Sequence, residues 1–160
     1  MPVQAETRES RAMFNLAMEK MHRCHFAGAL RDLQEAMSIV PEQPLYLSYY
    51  GVCLAQQRQF EPAVDSCKRA LGLAPDDTLL QVNLGKVHRL RGETRTAYRV
   101  FLRAWQGDKS HPAAAAELAR MGVRRPPVLR FLPRSHLCNR WLGKLRFRLE
   151  RALAPRRSIA

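Results

Sequence analysis

The chain has 160 residues and a mass of 18.4 kDa, with 27 Lys and Arg against 14 Asp and Glu, a formal net charge of +13 and a pI of about 10.6. Hydrophobic residues make up 46% and aromatic residues 8%, which excludes an intrinsically disordered chain and suits one domain plus a tail. Residues 1–121 hold 16 basic and 13 acidic side chains, whereas residues 122–160 hold 11 basic ones and a single acid, Glu150. A nearly neutral body is thus joined to a strongly basic tail, and any nucleic-acid or membrane reading of the pI belongs to that tail.

The N-terminal stretch MPVQAETRESRAMF is polar and charged, unlike a secretory signal. No uninterrupted apolar run reaches the roughly 18 residues of a membrane span. Cys24, Cys53, Cys67 and Cys138 form no CxxC pair and read as reduced thiols. A cytoplasmic protein is the expectation.

From about residue 10 the chain repeats itself at a shift of 34. Leu16, Tyr50 and Leu84 share a column. So do Ala17, Gly51 and Gly85; Ala29, Ala63 and Ala97; Leu33, Cys67 and Phe101; and Ala36, Ala70 and Ala104. Pro41 falls on Pro75, and Phe26 on Phe60, with Thr94 in the third copy. Within each copy the apolar residues step by three or four, the spacing of a helix face. A short turn, Arg58 to Phe60 in the second copy, separates two such helices, and the third copy carries Gly92 there. The small residue on the first helix lets the second approach closely, and the prolines close each unit.

The pattern Leu47-x2-Tyr50-Gly51-x2-Leu54, then Phe60-x2-Ala63-x3-Cys67-x2-Ala70-x4-Pro75, resembles the tetratricopeptide repeat family over about residues 10–106, or three repeats. The resemblance implies an all-α, right-handed superhelical solenoid of antiparallel helix pairs. Lys20 and His88 depart from it, standing where the family prefers bulky apolar groups, which points to looser packing or a different use of those positions. The third copy lacks a closing proline. After it, Pro112 to Met121, ended by Gly122, predicts a short helix covering the last apolar face. The domain reading is therefore a repeat body at 1–121 and a basic segment at 122–160.

The resemblance also implies that the first helix of each pair lines a concave groove. Its inward residues are then Arg11, Phe14, Met18 and Met21; Leu45, Ser48, Val52 and Ala55; and Leu79, Val82, Lys86 and Arg89. Such a groove is apolar and methionine-rich at one end and basic at the other, which suits a peptide with apolar anchors and an acidic end. Some members of the family clamp the carboxylate tail of heat-shock chaperones with Lys, Asn and Arg side chains. The matching positions are Phe14, Met18, Tyr49, Leu79 and Asn83, none of them basic, so that clamp is not expected.

In the tail, Arg124 to Pro133 is proline-rich and predicts an extended segment. Ser135 can then cap a helix running to about Ala154. Leu137, Trp141, Leu145, Leu149 and Leu153 form its apolar stripe, flanked by Arg140, Lys144, Arg148 and Arg151, with Phe147 nearby. This basic amphipathic helix can cap the repeats, lie on an anionic membrane or contact nucleic acid.

His22-Arg23-Cys24-His25 brings three metal-ligating side chains together, without a second cluster at zinc spacing. No nucleophile, base and orienting acid can be grouped by spacing. The expectation is a non-enzymatic adaptor with no cofactor or metal that binds a protein or peptide segment in its groove. The alternatives are an attachment module for an anionic membrane or nucleic acid through the tail, and a small secretion-type chaperone.

Overall fold

The computed structural model describes residues 7–122, together with Trp141, Leu142 and Leu145. The chain divides into two compact units, residues 1–122 and 123–160. The described part of the first unit holds seven α-helices and no strand: α1 (Arg8–His22), α2 (Phe26–Ile39), α3 (Pro44–Gln56), α4 (Phe60–Leu73), α5 (Thr78–Leu90), α6 (Thr94–Gly107) and α7 (Pro112–Met121). They pair as α1 with α2, α3 with α4 and α5 with α6, and each pair packs on the next. The result is an all-α repeat solenoid.

Local chemistry sets the boundaries. Thr7 caps α1 by accepting from the Ser10 backbone N–H at 3.1 Å, while Ser10 Oγ accepts from the Thr7 N–H at 3.2 Å. Asp77 caps α5 by accepting from Leu79 N and Leu80 N at 2.8 and 3.1 Å. Pro44 and Pro112 occupy the first turns of α3 and α7, where a missing N–H costs nothing. The turn inside each pair uses one left-handed residue at the same place in the repeat: Cys24 (φ 58), Arg58 (φ 62) and Gly92 (φ 89). Only the third supplies glycine, the residue that takes this conformation without a side-chain penalty.

The core is built from the repeated columns. Ala17, Ala29, Ala63 and Ala97 are wholly buried, as are Leu33, Cys67, Phe101, Ala36, Ala70 and Ala104. Sizes compensate across each pair. Ala17 occurs with Leu33, Gly51 with Cys67, and Gly85 with Phe101. A Cβ on Gly51 would lie 2.6 Å from Cys67 Sγ, and one on Gly85 would lie 2.7 Å from Phe101 Cδ1. Both are far inside van der Waals contact. The smallest residue therefore sits where the two helices approach most closely.

Lys20 and His88 are used rather than merely tolerated. Lys20 Nζ reaches the two carboxylate oxygens of the buried Asp32 at 2.8 and 2.7 Å, and His88 Nδ1 lies 2.7 Å from Glu93 Oε2. Lys20 thereby ties α1 to α2, and His88 ties α5 to the residue that precedes α6.

The closing helix α7 keeps the register of the repeats. Pro112 lies 34 residues after Thr78, and Ala119 continues the small column after Gly85. It packs on both α6 and α5, as α5 packs on α4 and α3. Helix α7 is thus the first helix of a fourth unit, with its Ala114 wholly buried beside Val82, Ala97, Phe101 and Ala104. Gly122, with φ 72, ends it.

Candidate peptide-binding groove

The first helices α1, α3 and α5 form one layer, followed by α7. The joint between α1 and α3 is aromatic. Phe14 stacks on Tyr46, with centroids 5.0 Å apart at 23°, and meets Tyr49 edge-on at 5.5 Å and 67°. Tyr46 is wholly buried, and its hydroxyl donates to Ser10 Oγ at 3.3 Å. The joint between α3 and α5 is polar. Asn83 Nδ2 donates to Ser48 Oγ at 2.7 Å, and Lys86 Nζ donates to Asn83 Oδ1 at 3.3 Å. Ser48 and Asn83 are both wholly buried, so each satisfies the other's polar group.

Where α5 meets α7, three cations surround one carboxylate. Glu117 is only 5% exposed. Its Oε2 lies 3.5 Å from Arg89 Nε, and its Oε1 lies 3.4 Å from Arg120 Nη1. Burial pushes the Lys86 ammonium below the ordinary lysine value. Glu117 opposes that shift, while Arg120 and Arg89 add to it. Three cationic side chains thus stand near one carboxylate, the two arginines reaching into solvent.

The twelve residues expected to line the groove separate into two groups. Phe14, Met18, Met21, Leu45, Leu79 and Lys86 are half-buried, and Arg11 and Arg89 are exposed; these retain surface for a partner. Ser48, Val52, Ala55 and Val82 are buried and belong to the core or to the polar joint. Eight of the twelve thus keep accessible surface and four do not. Period alone places a residue on a face, whereas burial depends on what packs over that face. Arg120 joins this surface and the buried Glu117 lies beneath it, neither having been expected from the three repeats. Their signal lies in the period: at the shift of 34, Glu117 follows Tyr49 and Asn83, and Arg120 follows Met18, Val52 and Lys86.

At the turn of the first pair, Cys24 is exposed, and His25 packs its ring over Gly28. Among the described residues no group of three or more His, Cys, Asp or Glu side chains could hold a metal ion. Cys53 and Cys67 are buried, and burial pushes both thiols up to about 12. Among the described residues, no helix is long and apolar enough to cross a membrane. In the second unit, Trp141, Leu142 and Leu145 are helical, and Trp141 is 65% exposed. The expected tail contacts Arg140, Lys144, Phe147, Arg148 and Arg151 lie outside the described residues.

No family model matches the chain. Solved structures share its fold. The Sgt2 TPR domain from Aspergillus fumigatus aligns at 19% identity with a TM-score of 0.64, covering 85% of this chain and 96% of that one. The first TPR of Spaghetti (RPAP3), bound to the HSP90 peptide SRMEEVD, aligns at 14% identity and a TM-score of 0.62, covering 73% and 95%. A mutant O-GlcNAc transferase from Thermobaculum terrenum aligns at 19% identity and 0.63, with 73% of this chain matched to 23% of that protein. These likenesses establish the tetratricopeptide-repeat fold.

Proposed function

We propose that this chain, whose repeat body has the tetratricopeptide-repeat fold, is a non-enzymatic adaptor that binds a peptide segment on its first-helix layer. The observation carrying this reading is the polarity of that layer. Half-buried Phe14, Met18, Met21 and Tyr49 stand at the α1 end, while Lys86, Arg89 and Arg120 crowd one carboxylate at the α7 end. Adaptable apolar groups at one end and surplus positive charge at the other suit a peptide with an apolar anchor followed by acidic residues. The peptide held by the Spaghetti domain is itself acidic toward its end, which supports the class of ligand. The mode differs, because the positions of a chaperone-tail clamp carry Phe14, Met18, Tyr49, Leu79 and Asn83, none of them basic, and the wholly buried Asn83 bonds to Ser48 and Lys86.

The test is partner recovery by the full chain carrying Met18→Asp with Arg89→Gln, two substitutions at positions that retain surface; the glutamine removes the charge without setting a second carboxylate beside Glu117, which keeps Arg120. Partners recovered by the wild type should be lost while the melting temperature stays within a few degrees. Recovery equal to wild type would refute the groove.

A further inference from the structure

The second-helix layer carries a cleft of about 410 Å³ lined by Leu71 and Pro75 at the end of α4, Gln81 and Leu84 of α5, and Thr96, Arg99, Val100 and Arg103 of α6. It is separate from the first-helix groove and shares no residue with it. Its floor is apolar, and Gln81 Nε2 is already engaged by the Pro75 carbonyl at 3.0 Å. Its α6 wall presents two arginines one turn apart. Both are exposed, and neither makes an ion pair among the described residues. Helix α6 itself contains no acidic residue.

The preceding repeat supplies an internal comparison. Thirty-four residues earlier, Leu84 corresponds to Tyr50, Arg99 to Asp65, Thr96 to Pro62 and Arg103 to Arg69. There the corresponding valley holds a large ring, whose hydroxyl accepts from Gln34 Nε2 at 3.1 Å, and one acid beside one base. The third repeat carries a leucine where the second has the ring, and an arginine where the second has the acid; the first repeat also has Leu16 and Arg31 at these positions, but Glu35 in place of Arg103. Each earlier copy thus sets one acid beside one base at the positions of Arg99 and Arg103, and only the third sets two bases there, over a leucine rather than the ring of the second.

We infer that this cleft is a second docking site, for an acidic amphipathic helix of a partner protein. One turn of helix separates Arg99 from Arg103 by about 6 Å along the axis, the separation of acidic residues at i and i+4 on a partner helix. Apolar side chains at i+3 and i+7 of that helix would enter the cleft over Leu71, Leu84 and Val100. The cleft is open along one side, so it admits side chains from a backbone that stays outside. Neither arginine has an acidic partner among the described residues, so a negative helix face would be complementary to both.

The probe is a display library of helical peptides about four turns long, with Asp or Glu fixed at i and i+4 and apolar residues varied at i+3 and i+7. The library is selected on the full chain, and binding is measured by fluorescence anisotropy. Selected peptides should lose at least about tenfold in affinity when Arg99→Glu and Arg103→Glu are combined, since like charges then face each other. Leu84→Tyr, which restores the residue of the preceding repeat, should weaken them as well. Lys86→Gln with Arg89→Gln, which removes the groove's charge without adding carboxylates beside Glu117, should leave them unchanged, which separates this site from the groove. If Leu84→Tyr lowers the melting temperature, the exposed arginine variants carry the test alone. Failure to select any peptide above a scrambled control would overturn the proposal, as would affinities indifferent to Arg99 and Arg103 or losses that follow the Lys86 and Arg89 changes.

Discussion

Gly85→Ala adds a single carbon at the tightest helix contact of the third repeat. In an open helix interior the change would stabilise by about 1 kcal/mol, because glycine is the weaker helix former. Here the new Cβ would fall 2.7 Å from Cδ1 and 2.9 Å from Cζ of Phe101, and nearer still to Cε1. Phe101 is wholly buried among Val82, Ala97, Ala104 and Ala114, so its ring has nowhere to retreat. Overpacking of this kind costs up to about 3 kcal/mol, leaving a net loss of about 2 kcal/mol. For a body of this size that lowers the melting temperature by about 10 °C. The first repeat shows how to relieve the clash, since it pairs Ala17 with Leu33. Phe101→Leu alone should cost about 1.5 kcal/mol by leaving space unfilled. The double variant should lose only about 0.5 kcal/mol, because the leucine clears the Cβ and the helix-forming gain of alanine survives. The coupling between the two sites is then about 3 kcal/mol. Urea unfolding followed by circular dichroism measures all four proteins. A neutral or stabilising Gly85→Ala, or a double variant whose loss equals the sum of the singles, would refute the close-contact argument.

Two further outcomes follow from buried groups. Lys20→Leu strips Asp32 of its cation and should cost about 2 kcal/mol in thermal unfolding, whereas Lys20→Leu with Asp32→Ala should recover most of that loss; equal losses would show that the ion pair is irrelevant. In a Cys138→Ser background, a colorimetric thiol reagent at mildly alkaline pH should titrate Cys24 rapidly in the native protein, and Cys53 and Cys67 only after denaturation, because both are buried with thiols pushed up to about 12. Fast native reaction of all three would contradict the packing described.

The repeat register is readable because the same volume constraint recurs every 34 residues. The columns through Ala17, Ala29, Leu33 and Ala36 coincide with the buried heart of all three pairs. Helix α7 is readable from Pro112 and Gly122, yet its place as a fourth first helix is hidden. Its small residue is Ala119 rather than glycine, and no paired helix with the signature residues follows it. The groove is harder to read. Ser48 and Asn83 are polar residues at face positions, and sequence offers no sign that they bury and satisfy one another. Glu117 is a lone acid on an alanine-rich helix, and its importance arises from Arg89 and Lys86, about 30 residues earlier in the chain. Period fixes the face of a helix, whereas partnership between faces depends on the way the pairs stack.

The Ser48–Asn83 bond has a mechanical consequence. Stacked apolar helices can slide a little along one another at small cost, so a solenoid bends at its joints like a stack of loosely seated discs. A directional bond of 2.7 Å between dry partners resists that sliding, and the joint between α1 and α3 has a longer one of the same kind, from Tyr46 to Ser10 at 3.3 Å, beside the stacked rings. Both joints of the first-helix layer are therefore pinned by a buried polar pair, and the shorter bond lies between the second and third repeats. A peptide lying along this layer would therefore meet a surface whose curvature is set at each joint before it arrives.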